Sequence, residues 1–263
     1  MKRKYAQRYA AVLEAYFSQS QIDPDQIDDS ITHIERQALD ASQLWISGPR
    51  SDLLYIRWPA VLMNGAPGTS FSTRLVHMLS DANIPVLSYF FSDVHSINGE
   101  GDGDVERALV AMIYALIWQL SNLLPRTIVD HAPYITVEDF ANLDGTVWSL
   151  NIALDLLATL LVQTRQPVLF CIIDGLHCFD MLDASVDIRQ ALEALIALLS
   201  VHVERLSNLG RTFKLLFTSS GFSELLMEGV NPEKIAWLDQ GPKGKRPGRR
   251  SRGRGPMTQL MLV

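Results

Sequence analysis

The chain reads as an α/β fold: three layers around a mostly parallel central sheet, with helices ahead of it. Three observations predict this. Apolar runs of strand length alternate with helical segments of roughly twenty residues. The clearest run, PVLFCIID at 167–174, is apolar on both faces until it ends in an acid, as a central parallel strand would be. A further strand-like run, 212–218, follows one long helical segment later, which is the βαβ pattern of a parallel sheet.

The elements follow in order. Tyr5, Tyr9, Ala10, Val12, Leu13 and Phe17 recur at helical spacing over 4–19, and Asp23, Pro24 and Asp25 interrupt them. A second helix is expected over 29–46, with Asp28, Asp29 and Ser30 as capping candidates and Gly48-Pro49 as its stop. Two strands then compete, 52–57 and 60–63, the latter running directly into the Gly-rich turn 64–68. A helix is expected over 70–81, then a buried strand over 86–91 and an acidic, Gly-rich loop, NGEGDGD, at 98–104. Helices over 104–123, 146–164 and 186–207 and a last short strand over 234–238 complete the pattern. Trp45, Trp58, Trp118 and Trp148 are expected in the core. The domain organisation expected is a helical segment over 1–48, the α/β domain over 49–240 and a basic disordered tail over 241–263.

The chain has 263 residues and 48% hydrophobic residues, enough for a sizeable core. Its net charge of −6 is unevenly placed. Lys243, Lys245, Arg246, Arg249, Arg250, Arg252 and Arg254 stand together with no acid among them. The remaining 16 basic residues face 29 acidic ones, which leaves the rest of the chain near −13. Such a body is a poor surface for nucleic-acid phosphates, so nucleic-acid contact or nuclear import would have to use the tail. A solubilising tail is the plainer alternative. No run of 18 apolar residues occurs, so no transmembrane helix and no membrane partner are expected. The N-terminus lacks the apolar region of a signal peptide, and two cysteines make no disulfide framework. An intracellular, cytoplasmic protein is the expectation, with the tail as the argument for the nucleus.

Nucleoside triphosphate chemistry on such a sheet needs a Gly-rich loop before a helix, a Lys for the phosphates, a Ser or Thr for Mg²⁺, and a strand-end Asp. Residues 65–73 read GAPGTSFST. Against G-x-x-x-x-G-K-[ST], Gly65 fits the first position, and Ser70 stands where the second Gly belongs. Phe71 replaces the Lys, and Ser72 keeps the Mg²⁺ hydroxyl. Gly68 and Thr69 complete the loop. An ordinary turn with Thr69 or Ser70 as N-cap fits the same residues. Asp174, at the end of the apolar strand, matches the metal-binding acid. His177 and Cys178 stand where a second acid would be useful. Six scattered His show no zinc spacing, and a loop His at a strand exit is more often structural than catalytic.

The order of these segments resembles the P-loop NTPase domain of the NACHT-type STAND proteins, in the nephrocystin-3-like subgroup common in fungi. The similarity covers roughly 30–240. It is carried by SQLWIS at 42–47, SDLLYI at 51–56, LSYFF at 87–91, ALVAMIYALIWQL at 108–120, CIIDGL at 171–176 and KLLFTSS at 214–220. The resemblance implies that 52–57 precedes the phosphate loop. It also implies that Thr218 and Ser220 occupy the sensor strand, with Ser220 in place of an Arg. A member of that family exchanges ATP or GTP with Mg²⁺ and switches a signalling oligomer. Here the phosphate Lys, the second acid and the sensor Arg are replaced together. The resemblance therefore implies a degenerate member that works through protein partners or self-association, with little or no hydrolysis. A nucleotide switch using Ser72 and Asp174 with Mg²⁺ is the alternative.

Overall fold

The computed structural model describes residues 3–17, 33–59, 67–91, 102–126, 134–181 and 185–238. Five strands form one all-parallel sheet: β1 (Asp52–Trp58), β2 (Val86–Phe90), β3 (Val168–Asp174), β4 (Thr212–Ser220) and β5 (Ile235–Trp237). Their spatial order is β2-β3-β4-β1-β5. The helices are α1 (Arg3–Ala10), α2 (His33–Ser47), α3 (Pro67–Asp81), α4 (Asp102–Leu123), α5 (Val137–Ala141), α6 (Leu150–Gln163), α7 (His177–Met181), α8 (Val186–Asn208) and α9 (Glu224–Gly229).

Side chains alternate across each strand, and the alternation sorts the core into two layers. Leu53 and Tyr55 of β1, Leu169, Cys171 and Ile173 of β3, and Phe213, Leu215 and Phe217 of β4 face a large layer built from α1, α4, α6 and α8. Ile56, Trp58, Phe170, Ile172 and Leu216 face a smaller layer built from α2 and α3. The N-terminal helices thus serve opposite faces: α1 packs on α4, and α2 packs on β1. The expected strand over 52–57 is present as β1. The competing 60–63 run lies outside the described residues, as do Gly65, the capping candidates Asp28, Asp29 and Ser30, and the tail from Lys243 to Arg254.

Three local expectations are corrected. The helix expected over 4–19 is α-helical only to Ala10 and a tighter 3-10 helix from Ala11 to Tyr16. The tighter turn brings Tyr16 edge-on to Tyr114 at 5.2 Å and Phe17 to Trp118 at 6.0 Å. Trp148 is not in the core; it is 88% exposed. Its neighbour Ser149 is drawn inward instead, donating to the Thr146 carbonyl at 2.7 Å and bonding the Tyr114 hydroxyl at 2.8 Å. Finally, α3 begins at Pro67 rather than near Ser70, so Thr69 and Ser70 lie within its first turns and cap nothing. Proline suits a first helical position, where its fixed φ is helical and its missing N–H has no partner to lose.

The outer edge of β2 carries its own protection. Ser88 N–H donates to Gln119 Oε1 at 2.9 Å, and Gln119 Nε2 donates back to the Ser88 carbonyl at 2.9 Å. One α4 side chain thereby occupies the edge groups that another strand would use. Gln119→Ala is expected to cost about 1–3 kcal/mol in denaturant unfolding. Concentration-dependent association should appear in light scattering, since the edge is then bare.

Candidate functional site

Adjacent strands β1 and β4 send the chain to opposite faces. After β1 it enters α3 in the small layer, and after β4 it enters α9, whose Leu225 and Leu226 join the large layer. Such a switch in direction opens a crevice at the carboxyl ends of the strands, where ligands of open parallel sheets bind. The residues at this point are Trp58 at the end of β1, Thr218 near the end of β4, Asp174 at the end of β3, and the first turns of α3. Register places Asp174 opposite Thr218, and Trp58 opposite Ser220.

Asp174 is the centre of this group. It is 3% exposed, and both its oxygens are engaged. Thr69 Oγ1 donates to Oδ2, and Thr218 Oγ1 donates to Oδ1. Because the single Thr218 proton points at the carboxylate, Ser72 Oγ, 3.0 Å away, is the donor to Thr218 Oγ1. Four side chains from α3, β3 and β4 form one directed chain: Ser72 to Thr218 to Asp174, with Thr69 closing the other side. Thr73 Oγ1 also turns inward on its own helix, donating to the Thr69 carbonyl at 2.8 Å.

Burial pushes the Asp174 pKa up to about 6, against the opposing effect of the two threonine hydroxyls. No cation contributes to its titration. The residue in the phosphate-Lys position is the reason. Phe71 is buried, with its ring 5.8 Å from the Trp58 ring. Helix α3 lies so close to Trp58 that a Cβ on Gly68 would come within 2.9 Å of the indole Cδ1. Gly68 is therefore required by close approach, not by loop flexibility. The chain leaves Asp174 through Gly175, whose φ is +91°. A Cβ there would meet the Phe91 side chain at 2.8 Å. Ser70 sits half-buried in the first turns of α3. Ser220 ends β4 two residues beyond Thr218, on the same face.

His177 and Cys178 open α7 and are turned into protein. Burial lowers the His177 pKa, with Asp180 acting the other way, and Cys178 is buried. Among the described residues no group of three His, Cys, Asp or Glu is placed to hold a metal ion. If Mg²⁺ and a nucleotide entered, Asp174 and Ser72 are the side chains that could hold the metal, and the threonine contacts would have to open first.

Sequence reasoning missed the wall that Trp58 forms against α3. It also missed a second group on the opposite face. Tyr55 bonds Ser219 Oγ at 2.7 Å, and Arg57 Nε donates to the Gly221 carbonyl at 3.1 Å. The Arg57 guanidinium lies 4.7 Å from the Trp237 ring and 5.4 Å from the Phe222 ring. Only register could have found these pairs, and register is not visible in one strand at a time.

The fold is a three-layer α/β domain: an all-parallel sheet between two helical layers, with this crevice at the carboxyl ends of its strands. No family model matches the chain, and no curated protein matches it. Among solved structures it is similar to the Aeropyrum pernix Orc1 protein in complex with DNA, at 14% identity and a TM-score of 0.40. That match covers 82% of this chain and 47% of the Orc1 chain. The chain thus spans about half the length of that structure.

Two outcomes test the site. The folded pKa of Asp174, about 6, exceeds its ordinary 3.8, so the folded state binds the proton more tightly. Its charge therefore weighs against folding above pH 6, by roughly 3 kcal/mol, and the penalty disappears as pH falls towards 4. Asp174→Asn should be more stable than the parent at pH 7, and that advantage should shrink on acidification in denaturant titrations. Phe71→Ala, which empties the contact with Trp58, should cost about 3–5 kcal/mol by the same measurement.

Proposed function

We propose that this chain is a degenerate P-loop-type module that acts by binding or assembly and does not turn over nucleoside triphosphates. The observation that carries the reading is the closed chain of Thr69, Asp174, Thr218 and Ser72 beneath a Phe71 packed on Trp58. Hydrolysis of a phosphoanhydride relies on positive charge and a metal placed where negative charge develops. Here the Lys position is an apolar ring. The two metal-ligand candidates are spent on protein hydroxyls. Burial raises the carboxylate's pKa to about 6, so its charge is carried at a cost with no cation beside it.

The resemblance to STAND NTPases supports a role in protein assembly, with nucleotide-independent contacts doing what exchange does in that family. A NACHT-like signalling scaffold, intracellular and working through protein partners or self-association, is the form we propose. A second reading is favoured by one feature: Ser72 and Asp174 are joined through a single threonine. Weak Mg-ATP or Mg-GTP binding would exchange the two hydroxyl contacts for metal contacts, and would act as a switch without turnover.

The full chain is expected to release no phosphate from Mg-ATP or Mg-GTP above the buffer rate, with Asp174→Asn indistinguishable from it. Turnover at an ordinary enzyme rate, about 1 s⁻¹ or more, that Asp174→Asn abolishes would sink the proposal. Titration calorimetry with Mg-ATP separates the two readings. Heat that disappears in Ser72→Ala favours the switch, and no heat at millimolar nucleotide favours pure assembly.

A further inference from the structure

The opposite end of the sheet carries a feature that the crevice does not use. A cavity of 260 Å³ opens between the first residue of α1 and the chain that leaves α4 and α6; it is lined by Arg3, Asn122, Leu124, Pro125, Arg165 and Gln166, among others. Arg165 and Gln166 lie just ahead of β3, so the cavity sits by the amino end of that strand, whereas Asp174 ends it.

Arg3 reaches across from α1 and donates Nη2–H to the Asn122 carbonyl at 2.6 Å. Its Nε is buried and has no partner among the described residues. Leaving a buried donor of a charged group unmet costs more than leaving a neutral one unmet, so the position calls for an acceptor. Arg165 is exposed and forms no ion pair with a described carboxylate. Behind it, Arg211 donates to the Val162 carbonyl at 3.3 Å and to the Thr164 carbonyl. Burial first, and then the neighbouring charges of Arg165 and Arg205, lower the pKa of Arg211. The guanidinium groups therefore crowd one end of the molecule without compensation from described carboxylates. This happens in a chain whose body is otherwise near −13.

We propose that this cavity is a binding site for a small phosphate-class oxyanion, held by Arg3 and Arg165. The guanidinium fork matches two oxygens of such an anion, and each contact is charge-assisted. Asn122 and Gln166 supply polar wall. The volume falls below the about 300–1,000 Å³ of pockets that enclose a drug-sized ligand. It suits inorganic phosphate, pyrophosphate or a short phosphate ester, not a whole nucleotide. The anion would satisfy Arg3 and neutralise repulsion among the arginines, and so would tie α1 to the ends of α4 and α6.

Titration calorimetry on the full chain in a low-salt chloride buffer tests this with inorganic phosphate, pyrophosphate and glycerol 2-phosphate in separate arms. We expect saturable binding of at least one, weakened about tenfold or more in Arg165→Gln. The arm that binds tightest tells a free anion from an ester. Arg165 is exposed and has no hydrogen bond to a described residue, so the unliganded variant should melt with the parent. Arg3→Lys, which keeps a charge but loses the fork, should weaken binding as well. Asp174→Asn should bind as the parent does, which separates this site from the crevice. No heat in any arm at millimolar concentration would overturn the proposal. So would binding that Arg165→Gln leaves unchanged, or binding that Asp174→Asn removes.

Discussion

A buried carboxylate without a counter-ion is the constraint on which the crevice is organised. Asp174 ends β3, which is apolar up to that residue, and is removed from water. Desolvation of a charge is expensive, and a protein can offset it with a cation, a metal or hydrogen-bond donors. This chain uses donors, taken from two separate elements: Thr69 from α3 and Thr218 from β4. The first turns of α3 are thereby pinned over the ends of β3 and β4, and Ser72 is drawn into the same chain of hydroxyls.

The aromatic contact beside it has the same consequence by other means. Trp58 is fully buried at the end of β1, and Gly68 and Phe71 of α3 lie against its indole. Polar and apolar contacts thus close one crevice around the protein's own side chains. A phosphate-binding loop needs that space and a positive charge within it. The replacement of Lys by Phe accordingly does two things at once. It removes the charge that would stabilise phosphate, and it supplies the ring that fills the room.

At the other end of the sheet the balance is reversed. Arginines meet backbone carbonyls at the ends of α4 and α6, where helix dipoles favour positive charge. Those contacts account for parts of Arg3 and Arg211, but leave Arg3 Nε without a partner among the described residues and Arg165 exposed at the surface. The acidic bulk composition hides this local excess, because net charge says nothing about where charges gather once the chain is folded.

Much of the architecture was legible because period and length are local. The run 167–174 announced a buried parallel strand, and the alternation of strands and helices announced a layered α/β fold. Asp174 and the loss of Lys at Phe71 could be read from residue types alone. Other features depend on which strands become neighbours. Only the insertion of β4 between β3 and β1 sets Thr218 opposite Asp174 and Ser220 opposite Trp58. Pro67 could start a helix, but whether Thr69 would cap it or reach Asp174 was decided by packing on Trp58. Trp148 was misjudged for a similar reason: an aromatic type predicts burial, yet the hydrogen bonds of Ser149 turn that segment the other way. The sequence by itself determined the elements and the missing charges, because both are properties of single segments. The tertiary structure alone decided that the remaining hydroxyls close on the carboxylate, because that depends on side chains brought together from positions more than a hundred residues apart.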